Sequence, residues 1–140
     1  MVREAYCSQK ISRLLKEKGF DELCMFKYRA DGNRIKAGQV IDEWTNSELE
    51  EDECSAPTHQ RAMAWLREQH RVLISIDAYH ADHYEGLIDS FEIDIIKNAS
   101  RIIVPHEIAI HNEYDDAVEM ALYFALTKLI EITSNKLWIE

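Results

Sequence analysis

The chain has 140 residues, 46% of them apolar, with four glycines, two prolines and a formal net charge of −10. This size and apolar content are typical of one domain with a buried core, and so few glycines and prolines exclude a low-complexity linker. We find no apolar run long enough for a signal peptide or a membrane-spanning helix, which predicts a cytoplasmic protein that does not enter the membrane.

The charge is unevenly distributed along the chain. Residues 1–36 hold nine Lys and Arg against five Asp and Glu, whereas residues 37–56 hold seven acids and no Lys or Arg. An acidic surface repels phosphate backbones. The charge therefore disfavours nucleic acid as a partner, and only the basic N-terminal third leaves that alternative open.

The first segment, residues 1–36, predicts a helix followed by a small hairpin. The helix runs over roughly residues 8–18, with Ser8 as its N-cap and Gly19 in the left-handed position after its end. Phe20 is expected to fold back on the last turn. The pair Asp31-Gly32 is a strong signal for the hairpin turn.

The next segment, residues 37–55, is predicted to be an acidic loop. It contains the acid run over residues 48–53, whose charges would favour the N-terminus of a following helix. That helix begins near Pro57, with Ser55 or Thr58 as its cap. Its apolar stripe contains Ala62, Met63, Leu66 and His70, with Trp65 and Gln69 at the edge.

Residues 72–79 alternate between apolar and polar side chains, which predicts a strand with one buried face. Residues 91–95 alternate in the same way, and residues 101–104, closed by Pro105, predict a third strand. A long helix capped by Asn112 follows, and its wide apolar stripe indicates deep burial or a partner on its far side. A tail over residues 134–140 ends the chain.

These elements predict a single α+β domain over residues 1–140. Residues 56–133 have the order αβββα, and a small antiparallel sheet of about three strands with both helices on one face is the simplest way to bury their apolar stripes. Double-stranded-RNA-binding domains and related antitoxin domains share this order. A shared topology alone does not carry a function.

The central run Ser55-Ala-Pro-Thr-His-Gln60, with Trp65-Leu-Arg-Glu68, resembles a run found in a group of small proteins from gut bacteria and their phages. Two further stretches, residues 14–20 and 114–119, are similar to the same group. The resemblance implies an origin in a phage or another mobile element. It implies no activity, no cofactor and no site residue.

Three cysteines, Cys7, Cys24 and Cys54, stand at wide spacing without a Cys-x-x-Cys pair. An odd number at such spacing argues against a disulfide framework and against a closed zinc site. Buried free thiols are the simpler interpretation. A reactive cysteine would need a histidine brought to it in space, which the sequence does not show.

The densest group of ligand-type residues is His80, Asp82 and His83, with Asp77 and Glu85 on either side. Two histidines three residues apart beside carboxylates could hold a divalent metal ion. Polar residues also collect in turns for solubility alone, so we assign no metal ligand here. The start of the central helix, at Thr58-His59-Gln60, could receive an anion, but capping explains these residues better.

No phosphate-binding loop, nucleophile elbow or zinc-protease motif is present in the sequence. We therefore predict a non-enzymatic protein-interaction module that binds another protein or itself, and we assign no catalytic residue and no cofactor. One alternative is a nucleic-acid-binding or antitoxin-like regulatory domain. A second alternative is a metal-dependent enzyme that uses His80, Asp82 and His83.

Overall fold

A computed structural model describes residues 5–36, 43–79 and 90–130. Within these ranges the chain has the predicted α+β fold, with two antiparallel sheets. Its α-helices are α1 (Gln9–Glu17), α2 (His59–His70), α3 (His106–Ala109) and α4 (Tyr114–Phe124). Its strands are β1 (Phe26–Tyr28), β2 (Arg34–Lys36), β3 (Cys54–Ser55), β4 (Val72–Tyr79), β5 (Ser90–Lys97), β6 (Ser100–Ile102) and β7 (Ile110–His111).

Helix α1 begins and ends as its sequence predicts. The Ser8 hydroxyl accepts a hydrogen bond from the Ile11 amide at 3.2 Å, which caps the N-terminus. Gly19 has φ of 100°, in the left-handed region that glycine adopts without steric cost. The Phe20 amide then donates to the Leu15 carbonyl at 2.9 Å, and the Phe20 ring is buried.

The first sheet, which we call the hairpin sheet, has the order β2-β1-β3. The predicted turn at Asp31-Gly32 joins β1 to β2, and the Arg29 amide donates to the Asn33 carbonyl at 2.9 Å. Strand β3 pairs with the other side of β1 and lies within the segment predicted as an acidic loop. The described part of that segment, residues 43–55, also forms a short 3₁₀ helix, Asn46–Glu48.

The acid run of residues 48–53 precedes α2 in the chain and also contacts α1. The Lys16 ammonium of α1 donates to the backbone carbonyls of Glu50 at 2.8 Å and Glu53 at 2.6 Å. Arg13 donates to the carbonyl of Asp52 at 3.4 Å. The basic face of α1 therefore holds the acidic segment against the domain.

Helix α2 leads directly into the second sheet. Its cap is Thr58, whose hydroxyl accepts from the Arg61 amide at 3.1 Å. Arg71 ends the helix in a left-handed conformation with φ of 57°, and β4 begins at the next residue. Trp65, predicted at the edge of the apolar stripe, is buried and packs edge-on against Phe20 at a centroid distance of 5.5 Å.

The second sheet, the main sheet, has the order β4-β5-β6, with β7 also paired to β5. Strands β4 and β5 are antiparallel with Ile74 opposite Ile95 and Asp77 opposite Glu92. The alternation predicted for both strands is confirmed, because Val72, Ile74, Ile93 and Ile95 are buried. We call the face that carries these four residues the inner face and the opposite one the outer face.

The core lies between the inner face of the main sheet and helices α1, α2 and α4. Burying these apolar side chains is the main favourable term in folding. The large side chains that are fully buried in this core include Ile11, Leu15, Phe20, Leu66, Val72, Ile95, Val118, Leu122 and Leu126.

The C-terminal helix differs from its prediction at its start. Glu113, and not Asn112, occupies the N-cap position, and its side chain makes no capping hydrogen bond. A π-helical turn, Ala125–Leu129, continues α4. The predicted tail over residues 134–140 lies outside the described residues. In the described part of the chain, no helix combines the length and apolar character needed to cross a membrane.

Candidate functional site

Three separate segments of the chain meet beside the N-terminus of α1. The Cys7 amide donates to the Pro57 carbonyl at 2.9 Å, and the His59 amide donates to the Ala5 carbonyl at 2.9 Å. Tyr6 and Thr58 form an isolated β-bridge between these two bonds. The residues before α1 are thereby fixed against the start of α2, and the middle of α4 closes the third side.

The carboxylate of Glu119, on α4, is the centre of this meeting point. Its Oε2 lies 2.8 Å from His59 Nε2 and accepts a hydrogen bond from the Ser8 amide at 3.0 Å. Ser8 is the N-cap of α1, so the carboxylate also lies at the positive end of that helix dipole. Burial opposes ionisation of Glu119, but the bonds from His59 and Ser8 outweigh it and lower the pKa of the carboxyl.

Cys7 completes a group of three ligand-type side chains. One ligand atom from each of Cys7, His59 and Glu119 lies within 4.8 Å of the other two. The Cys7 side chain is fully buried, and its sulfur is 3.9 Å from the Thr58 carbonyl. Burial, with the nearby Glu119 carboxylate, raises the pKa of the Cys7 thiol well above its usual value.

These properties differ from those of an activated cysteine nucleophile. A catalytic cysteine is a thiolate that substrate can reach. Cys7 has no exposed surface, and burial raises the pKa of its thiol. His59 also directs Nε2 to Glu119 at hydrogen-bonding distance, whereas no hydrogen bond links its ring to the Cys7 sulfur among the described contacts.

The other ring nitrogen of His59 has an unusual environment. Nδ1 is buried and makes no hydrogen bond among the described residues. Its nearest acid is Asp115, whose Oδ1 is 4.0 Å away and whose side chain is 66% exposed. A buried nitrogen without a hydrogen-bond partner costs free energy. Packing of the His59 ring therefore does not by itself explain why Nδ1 is placed there.

A surface groove of about 370 Å³ between α1 and α4 leads to this cluster. Glu119 forms part of its wall, together with Asp116 and His111. Lys10, also on the wall, places its ammonium 4.3 Å from the centroid of the Tyr123 ring. The groove therefore connects the half-buried Glu119 carboxylate with solvent.

A second candidate region is the outer face of the main sheet. Asp77 on β4 and Glu92 on β5 are direct cross-strand neighbours, and neither has an ion pair among the described residues. Two residues after Glu92 on the same strand, Asp94 forms an ion pair with Arg101, whose Nε lies 3.2 Å from Asp94 Oδ1. Leu73, at the start of β4, is 41% exposed.

The residues singled out from sequence have different outcomes. His80, Asp82 and His83 lie outside the described residues, as does Glu85. Cys7, Cys24 and Cys54 are all free and buried. Desolvation raises the pKa of the Cys24 and Cys54 thiols too, and neither belongs to the Cys7–His59–Glu119 group.

Sequence reasoning missed the group that the structure brings together. Cys7 was recognised only as a free thiol, His59 only as part of a helix start, and Glu119 only as part of a family resemblance. A signal was present in Glu119, an acid between Val118 and Met120 in the apolar part of the last helix. A charge at such a position needs a partner, but the sequence does not identify that partner.

Comparison of the chain with protein-family models, with curated proteins and with solved structures finds no match.

Proposed function

We propose that the chain is a non-enzymatic protein-interaction module that binds a basic partner protein on the outer face of its main sheet. The observation that carries the proposal is the pair formed by Asp77 and Glu92. Like charges directly opposite each other on neighbouring strands are destabilising. Folding does not require such a pair, whereas a basic side chain from a partner would neutralise both carboxylates.

The other end of the outer face adds apolar surface to this pair. Leu73 is exposed on the same face, and its cross-strand neighbour Ile96 is half-buried. A protein interface usually has an apolar centre surrounded by a polar rim. The net charge of −10 favours basic partners in general, because it attracts them over a distance.

A second copy of the chain is the competing occupant. Arg67 and Arg71 line a surface cleft with Leu73 and Ile96, at the other end of the outer face from Asp77. Two copies related by a two-fold axis could bring acids and arginines together. We favour a different protein, since each copy brings a net charge of −10 to the interface.

The nucleic-acid alternative lacks a supporting observation of this kind. The cations of α1 are engaged within the chain: Arg13 and Lys16 bind backbone carbonyls of the acidic segment, and Lys18 binds the Ile130 carbonyl at 3.3 Å. We therefore do not propose it. The resemblance of the central run to proteins of gut bacteria and their phages makes a host or phage protein the natural partner to seek.

The test compares two variants that remove the same charge. The outer-face variant carries Asp77→Asn and Glu92→Gln, and the control carries Glu17→Gln and Glu51→Gln, two exposed acids away from the main sheet. A partner captured from host lysate by the wild-type chain is purified, and its affinity for all three proteins is measured at two salt concentrations. We expect the outer-face variant to bind about tenfold more weakly, with little effect of the control.

Three outcomes would contradict the proposal. Capture of no partner at low salt would count against an interaction module. Equal weakening by both variants would show that net charge, and not the outer face, governs binding. A dimer detected by light scattering and lost in the outer-face variant would replace the basic partner by a second copy of the chain.

A further inference from the structure

The Cys7–His59–Glu119 group combines a thiol, an imidazole and a carboxylate from three separate segments. Cysteine sulfur, histidine nitrogen and carboxylate oxygen are the three ligand types that zinc takes in proteins, and zinc sites with three protein ligands keep a fourth position open. Metal sites in folded proteins commonly take their ligands from segments that are distant in the sequence, as these three residues are. We propose that Cys7, His59 and Glu119 bind one Zn²⁺ ion.

The environment of His59 supports a metal ligand. A metal-bound histidine commonly donates its other ring N–H to a carboxylate, which fixes the ring and raises its basicity. His59 Nε2 is directed towards Glu119, and Nδ1 is directed towards Asp115, 4.0 Å away. With Zn²⁺ on Nε2, the ring proton moves to Nδ1, where Asp115 can accept it after a small rotation of its exposed side chain.

The ligand atoms need only small movements to reach zinc geometry. In a tetrahedral site the nitrogen and oxygen ligands are about 3.3 Å apart, and the sulfur and nitrogen ligands about 3.6 Å apart. The His59 and Glu119 atoms, at 2.8 Å, would separate by about 0.5 Å as the metal replaces the proton between them. The Cys7 sulfur, within 4.8 Å of both, would approach by about 1.2 Å at most.

Charge and access also fit a cation. Glu119 lies on the wall of the groove between α1 and α4, and Asp116 lies on the same wall, so an ion can enter from solvent. Once bound, the ion would join the residues before α1 to α2 and α4. Its fourth position would face the groove and hold water or a ligand from solvent.

Binding has a defined proton balance. The Cys7 thiol loses its proton to solvent and becomes a thiolate ligand, and the His59 proton is transferred from Nε2 to Nδ1. One proton is therefore released for each ion when His59 is neutral. Because one proton leaves for each ion bound, the affinity for Zn²⁺ should fall as the pH is lowered.

The experiment uses the full chain, reduced and freed of metal with a chelator, and titrated with Co²⁺ and Zn²⁺. We expect one ion per chain, a thiolate-to-Co²⁺ charge-transfer absorption, and its loss on addition of Zn²⁺. Cys7→Ala should abolish that absorption, whereas Cys54→Ala, which removes another fully buried free thiol, should retain it. Asp115→Asn should retain the absorption but weaken binding by about 10- to 100-fold.

Circular dichroism and thermal melting of each metal-free variant establish that it is folded. If Cys7→Ala does not fold, Glu119→Gln takes its place, because glutamine keeps the side-chain length and can still accept from the Ser8 amide. Glu119→Gln should weaken Zn²⁺ binding by more than Asp115→Asn does. Absence of the charge-transfer absorption in the wild-type chain, or its persistence in a folded Cys7→Ala variant, would overturn the proposal.

Discussion

Two regions of this domain hold carboxylates that differ in burial and in their bonding partners. Glu119, in the Cys7–His59–Glu119 group, is half-buried and bonded to an imidazole and a backbone amide. Asp77 and Glu92, on the outer face of the main sheet, face each other without an ion pair among the described residues. The first arrangement stabilises a half-buried charge, and the second leaves a repulsion that water and salt screen.

The difference indicates how each region contributes. A half-buried carboxylate must be compensated inside the molecule, because water cannot reach all of its lone pairs. Glu119 is therefore part of the fold, whatever else it binds. Asp77 is exposed and Glu92 is half-buried, so water and salt screen much of the repulsion between them. Stability measurements should therefore respond in opposite directions when charge is removed from the two regions.

The largest expected effect comes from Glu119→Ala. This change leaves the Ser8 amide without its acceptor and His59 without its partner, so the free energy of unfolding should fall by about 2–3 kcal/mol. Urea denaturation at neutral pH measures it. Asp116→Ala, an exposed acid on the same helix, is the matched control and should change the free energy of unfolding by less than about 0.5 kcal/mol. Equal effects of the two changes would show that Glu119 has no special structural role.

The next largest effect is the pH dependence of the stability that Glu119 contributes to the folded chain. Because the pKa of Glu119 is lowered in the folded chain, its ionised form adds stability above the pKa of an unfolded glutamate, about 4.3. That stability should be lost as the pH falls through the lower folded pKa. The difference in unfolding free energy between wild type and Glu119→Gln should accordingly shrink from pH 7 to pH 3. A difference that stays constant over this range would contradict the role of ionisation.

The smallest expected effect has the opposite sign. Replacing Asp77 by Asn and Glu92 by Gln removes the repulsion across the two strands, so the free energy of unfolding should rise by about 0.2–1 kcal/mol. Thermal and urea denaturation at low salt detect the gain, which should diminish as salt is added. Combined with weaker partner binding, a gain in stability would identify the pair as functional. A loss of stability would instead mean that the two carboxylates help to hold the sheet together.

Local features of the sequence were sufficient for most of the element boundaries. Ser8 and Gly19 act within a single helical turn and take their predicted roles, and Thr58, one of the two caps predicted for α2, is the one that the structure uses. The start of α4 differs from its prediction, because Asn112 is the better N-cap residue but Glu113 occupies that position without a capping bond. Short pairings such as β3 with β1 could not be predicted, since two residues carry no periodicity.

The sequence by itself determined the α+β class, the helix caps and the alternation of the main-sheet strands, because these depend on neighbours a few residues apart. Only the tertiary structure decided which polar residues meet. His59 and Glu119 are 60 residues apart in the chain, and Ser8 and Glu119 are 111 apart. Contacts over such separations follow from how α1, α2 and α4 pack around one core, and no local pattern encodes that packing.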